Sequence, residues 1–211
     1  MNPAERFNNP SDIIQIYSYT SNEVYQFTAF LTDFKDQRAS NWSSQEVYGR
    51  MDPIYTYKNT TRKITLGFDI PAYDIDDATV NRNNLILLKS SVYPIYMERE
   101  QKNNYVLSTP PFHRIKFANL ISSQVLNKSK VQYGLLGWID GINYKPELES
   151  GFFTIGDNLI PKLFKLNFTF NIIHEHPLGF NKDHKMRHQP ISATAGVGDF
   201  NIPAGDNLAV T

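Results

Sequence analysis

The clearest pattern in the chain is an alternation at residues 62–70, where Arg62, Ile64, Leu66, Phe68 and Ile70 fall on one face and Lys63, Thr65, Gly67 and Asp69 on the other. Successive side chains of an extended backbone point to opposite sides, so a period of two marks a strand with one buried face. A longer example follows at 164–172, with Phe164, Leu166, Phe168, Phe170 and Ile172 set against Lys165, Asn167, Thr169 and Asn171. Residues 13–19 and 24–32 are rich in β-branched and aromatic types around a turn-like 20–23, which predicts a hairpin with Tyr25, Phe27, Ala29 and Leu31 on one face. Residues 53–57 predict a short strand and 58–61 a turn into the 62–72 strand, a second hairpin. Residues 93–97, 113–121 and 131–143 also read as extended, with Gly134 and Gly137 permitting a bend or close approach.

One segment changes period. Asp74, Asp76 and Asp77 supply helix N-caps, and residues 78–91 carry Leu85 and Leu88 at helical spacing, followed by Val92 and a stop at Pro94. Between these elements lie polar stretches. Residues 33–48 predict a long partner-ordered loop in which Trp42 either folds back onto the core or anchors a subunit contact. Residues 98–104, 124–130 and 144–153 read as loops and 156–158 as a turn. The sum is a mainly β single domain over 1–211, a β-sandwich or barrel with one flanking helix and extended loops and arms. Its parts are an N-terminal arm at 1–12, a core at 13–180 and an extended C-terminal tail at 181–211.

Composition narrows the chemistry. The 211 residues contain no cysteine, which removes disulfides, thiolate nucleophiles and cysteine zinc sites. The 21 basic and 21 acidic residues balance, so no global field favours nucleic acid or an anionic membrane. The start of the chain lacks the apolar run of a secretory signal, and no stretch reaches the ~18 apolar residues of a spanning helix, which predicts a soluble protein without stable membrane insertion. Twelve Tyr and fourteen Phe suit β-structure and large protein interfaces.

His174 and His176 share a face on a strand and His184 and His188 on a helix, a conceivable metal set, but Lys182, Lys185 and Arg187 around them oppose a cation. Glu147 and Glu149 offer a carboxylate pair without the convergent companions that an acid–base site needs. Gly196 and Gly198 lack the following lysine and hydroxyl residue of a phosphate loop. Tyr55, Tyr57, Lys58, Arg62 and Lys63 interleave aromatic and basic types as an oligonucleotide groove does, yet also as a hairpin with cross-strand tyrosines does. The sequence therefore predicts no enzyme, no cofactor and no metal.

Trp42 with Tyr48-Gly49-Arg50-x-Asp52-Pro53-Ile54, then Arg62-x-Ile64-x-Leu66-x-Phe68-x-Ile70-Pro71-Ala72, resembles a segment of virion structural proteins of contractile-tailed bacteriophages. Pro146-Glu147-Leu148-Glu149-x-Gly151-Phe152-Phe153 and the strand ending in His174-x-His176-Pro177-Leu178-Gly179 extend the similarity over roughly residues 24–180. The resemblance is to tail-tube and baseplate proteins, in particular the tube initiators of the hub. It implies a tail-tube-like barrel or sandwich that assembles as a ring, commonly a homohexamer, in the virion tail after synthesis in the host cytoplasm. The implied partners are further copies, other tail-tube and baseplate proteins, and DNA only in transit through the channel. On this reading Trp42, Tyr48, Arg50, Asp52 and Arg62 are candidates for subunit contacts or for fixing the loop. The alternatives are another virion structural role, in the neck, tail terminator or capsid decoration, and a metal-dependent or cell-wall hydrolase.

Overall fold

A computed structural model describes residues 13–98, 105–118, 120–121, 134–156, 158–175 and 178–188. The predicted N-terminal arm at 1–12, the loop at 124–130, His176 and the tail beyond 188, with its glycine pair, lie outside the described residues.

The described residues are mainly β with one helix. Seven antiparallel strands form one sheet in the order β2-β1-β7-β8-β11-β4-β3. Their ranges are β1 Ile13–Ser18, β2 Glu23–Thr28, β3 Phe30–Gln45, β4 Ile54–Pro71, β7 His113–Phe117, β8 Leu135–Pro146 and β11 Leu163–Ile172. The outermost strands β2 and β3 are joined by Ala29 alone, a link that spans at most ~7 Å of extended chain. The two ends of the sheet therefore meet at Ala29, and the sheet curls into a barrel-like wall around its apolar face. That face supplies the core: Ile14, Ile16, Phe27, Ile64, Leu66, Phe68, Ile115, Leu166, Phe168 and Phe170 are all buried. Phe68 packs against both Phe117 and Phe168 at ring-centroid distances of 5.5 and 6.2 Å.

The helix α1, Ile75–Ser91, opens on Asp74, whose carboxylate accepts the Asp77 amide at 2.8 Å, and ends at Val92 before Pro94. It turns Leu85 and Leu88 into the core and donates from Asn84 Nδ2 to the Gln26 carbonyl of β2 at 2.9 Å. An edge strand left open is a template for unwanted pairing, and here the helix covers one. The expected role of Gly134 and Gly137 is borne out: a Cβ at Gly137 would overlap the Asn171 carbonyl oxygen, and one at Gly134 the Ile115 carbonyl.

Three two-stranded pieces complete the described chain. They are β5 (Ile95–Glu98) with β6 (Tyr105–Thr109), β9 (Phe152–Ile155) with β10 (Asn158–Pro161), and β12 (Gly179–Phe180) with β13 (Met186–His188). Part of the expected tail, residues 181–188, thus includes a strand. The predicted strand at 113–121 stops at Phe117, and Ala118 turns the chain with φ 44° to bring Ile121 back as a bridge partner of Phe117.

Two expectations are overturned together. Residues 33–48 are not a loop, because β3 runs unbroken to Gln45. Residues 58–61 are not a turn, because β4 passes straight through them. The two strands pair with each other from Phe30 opposite Asp69 to Gln45 opposite Ile54. The physical reason is pairing: a polar strand with no buried face shows no alternation, but its backbone groups are satisfied by the partner strand all the same.

Candidate assembly interface

The β3–β4 hairpin outgrows the sheet. β11 pairs with β4 from Pro71 down to Arg62 and stops there, so residues 54–61 have β3 as their sole strand neighbour among the described residues. Eight residues at ~3.4 Å each make a two-stranded arm projecting about 27 Å beyond the barrel. Every residue of β4 from Ile54 to Thr61 is exposed. A lone two-stranded ribbon is marginal in water, which makes the supports along this one informative.

At the base, Arg62 is buried and held by Asp36 of β3, with Nε to Oδ1 at 2.9 Å and Nη2 to Oδ2 at 2.8 Å; Arg38 reaches the same carboxylate at 3.1 Å. The alternation of β3 carries the core face outward. Phe34 and Leu66 pair inside, then Arg38 with Arg62, Ser40 with Thr60, Trp42 with Tyr57, and Ser44 with Tyr55. A bulge at Lys58 keeps Tyr57 on the side of Trp42. The two rings meet edge to face at 5.3 Å, Trp42 Nε1 donates to Ser40 Oγ at 3.2 Å, and Asn41 joins Asn59 across the strands at 2.7 Å. Trp42 and Tyr57 nonetheless remain 56% and 51% exposed, and Tyr48 and Met51 at the tip are almost wholly so. At the tip the Arg50 amide donates to the Val47 carbonyl at 3.2 Å, and Gly49 takes φ +84°, the left-handed geometry that glycine adopts without strain.

The candidate residues therefore separate. Trp42, Tyr48, Arg50 and Asp52 all ride on the exposed arm, and Arg62 fixes its base from within. Trp42 does not fold back onto the core; it packs on Tyr57, because its strand has already left the barrel. Arg50 and Asp52 form no ion pair among the described residues. No protein-family model matches the chain. No curated protein does either.

The other candidate chemistry is dispersed. Glu147 pairs with Lys165 at 2.9 Å, which holds its carboxyl below the usual range, while Glu149 is exposed. Partial desolvation, then the charges of Arg62 and Arg38, push the His174 imidazole below its ordinary value, so it sits by the arm base beside cations. Among the described residues, no group of three or more His, Asp and Glu side chains is placed to hold a metal, and no helix is long and apolar enough to cross a membrane.

Two buried polar groups lie elsewhere and were not singled out in the sequence. Arg114 forks onto Glu175, and also donates to the Gly134 carbonyl at 3.1 Å and to Tyr19 Oη at 2.6 Å. His113, fully buried, shares a 2.9 Å hydrogen bond between Nε2 and Ser91 Oγ at the end of α1, while its Nδ1 has no hydrogen-bond partner. Burial lowers its imidazole to about 4; the Pro111 carbonyl lies near enough to oppose this in part, though outside hydrogen-bond geometry. Both groups tie the helix and the strand ends to the barrel, and among the described residues nothing beside them resembles a reacting centre.

Proposed function

We propose that this chain is a structural, non-catalytic subunit of a contractile phage tail, assembling with copies of itself into a ring of the tail tube or baseplate hub. The observation that carries the reading is the arm: a ribbon too thin to stand well alone, bearing its aromatics on the continuation of the core face. Cross-strand aromatic pairs of this kind stabilise a ribbon by roughly 1 kcal/mol, and burying the exposed half of each ring on a neighbour adds more. The barrel wall supports the reading as well. Its outer rows include Asn143 beside Asn167, and Thr65 beside Thr169 with hydroxyls 3.5 Å apart, a polar surface without charge at those positions. The same rows carry Lys63, Lys145 and Lys165 with Asp69 among these neutral positions, so the wall mixes both signs and offers DNA no unbroken basic stripe of phosphate contacts. The similarity of residues 24–180 to tube and hub proteins points the same way.

The test is direct. Purified protein, alone and with other tail proteins, is followed by electron microscopy and mass measurement. Rings with an open centre, or incorporation into tails, are expected. A chain that stays monomeric in every mixture and is missing from virions contradicts the proposal.

A further inference from the structure

The arm is rooted in a cluster of charges at the end of β11. Asp36 of β3 gives one carboxylate to two guanidinium groups, Arg62 of β4 at 2.9 and 2.8 Å and Arg38 of β3 at 3.1 Å. Ile172, the last residue of β11, is the register partner of Arg62, which in turn lies opposite Arg38. The Ile173 amide still donates to the Leu136 carbonyl at 2.9 Å, so the chain leaves β11 extended and the alternation puts His174 on the face of Ile172 and Arg62. Beyond this row β4 has no strand neighbour but β3 among the described residues, so the cluster fastens the arm where the wall ends.

We propose that His174 makes the root of the arm a proton-sensitive hinge: a proton on its imidazole sets a third cation beside Arg38 and Arg62 around the carboxylate of Asp36, and the arm moves more freely on the barrel. The groups around the ring decide the sign. β3 brings Asp36 and Arg38, and β4 brings Arg62, with Lys63 on the opposite face. β8 has no charged residue from Gly134 to Trp138, and Glu175, next in the chain, is taken up by Arg114. Like charges disfavour a further positive one, and partial desolvation followed by Arg62 and Arg38 holds the imidazole below its ordinary 6.5. Such a group takes its proton more readily once the contact opens. The closed root is therefore fully held above pH 6.5 and loosens as pH falls below it. His174 is exposed, so the proton reaches it without unfolding the barrel. The hinge belongs to the single chain, whatever the arm meets.

Local opening of the arm is read by hydrogen exchange with mass spectrometry on the full chain, corrected for the intrinsic chemical rate. The measurement runs from about pH 7.5 to about pH 5.5, where imidazole titrates and carboxylates ordinarily do not. Peptides covering 36–45 and 54–62 are compared with β11, whose protection also shows that each variant is folded. In the native chain the ratio of arm to β11 exchange is expected to rise as pH falls. His174→Gln is expected to abolish the rise, and Arg38→Gln, which removes one of the cations beside the ring, to shrink it. His174→Lys, with a permanent charge, is expected to exchange rapidly in the arm at both ends of the range. A flat ratio in the native chain overturns the hinge. So does a rise that persists in His174→Gln, or an arm in His174→Lys as protected as the native one at the upper pH.

Discussion

Arg62 and Asp36 face each other where the arm leaves the barrel, joined by two hydrogen bonds of 2.9 and 2.8 Å, with the guanidinium side chain 2% exposed and the carboxylate 11%. Removing one partner of a buried pair leaves a desolvated charge and costs about 3 kcal/mol or more. Asp36→Ala is therefore expected to lower the stability of the monomer by that order in denaturant unfolding. Arg38→Ala, which removes a half-exposed partner of the same carboxylate, is expected to cost no more than about 1 kcal/mol. Equal losses would show that the buried member is not what secures the base.

His113 gives the fold a pH dependence of definite sign. Its imidazole is lowered from 6.5 to about 4 in the folded protein. Between those values the unfolded chain binds a proton that the folded chain refuses, so the full stability is present above pH 6.5 and falls as pH drops toward 4. The loss amounts to roughly 3 kcal/mol. His174, also lowered, adds a slope of the same sign. Unfolding free energies measured from pH 7 to 4 are expected to fall steeply in the native protein and less steeply in His113→Gln. An unchanged slope in that variant contradicts the assignment.

Gly137 is expected to reject even one added carbon. The backbone of Asn171 occupies the place of its Cβ, with Phe170 Cζ also 2.8 Å away, so Gly137→Ala must push two paired strands apart. A loss of about 2 kcal/mol or more in thermal or denaturant unfolding is expected. Gly151→Ala is a control, since nothing lies within 4 Å of a Cβ there and the cost is limited to its positive φ of 78°.

On the proposed reading, the arm's exposed residues are expected to act on assembly more than on folding. Arg50→Ala is expected to leave the unfolding midpoint within the range of an ordinary surface substitution, about 0.5 kcal/mol, while reducing the oligomer fraction in sedimentation. Parallel loss of both properties would mean that Arg50 only holds its own turn.

Much of the barrel was legible because its strands carry a one-sided apolar alternation. Residues 62–70 and 164–172 display it, and Asp74 with Pro94 brackets the helix by capping and by the missing donor. The arm was not legible by the same rule. Around Asp36, Arg38, Ser40 and Ser44 both faces are polar, so the period of two has no contrast to reveal it. A different signal was present: Trp42 and Tyr57 stand almost equally far on either side of Gly49, as do Asp36 and Arg62, and a single hairpin centred on that glycine brings both pairs together. The buried pair of His113 and Ser91 had no such signal. It depends on where the helix ends against β7, a tertiary relation that neither segment encodes alone.

The central claim is that the arm's aromatic face joins copies of this chain. The most direct measurement is the mass distribution of the purified full-length protein over a range of concentrations, beside Trp42→Ala/Tyr57→Ala. The account predicts a closed oligomer of defined size for the native chain and a folded monomer for the double variant. A native chain that is monomeric throughout, or a double variant that assembles as the native chain does, would contradict it.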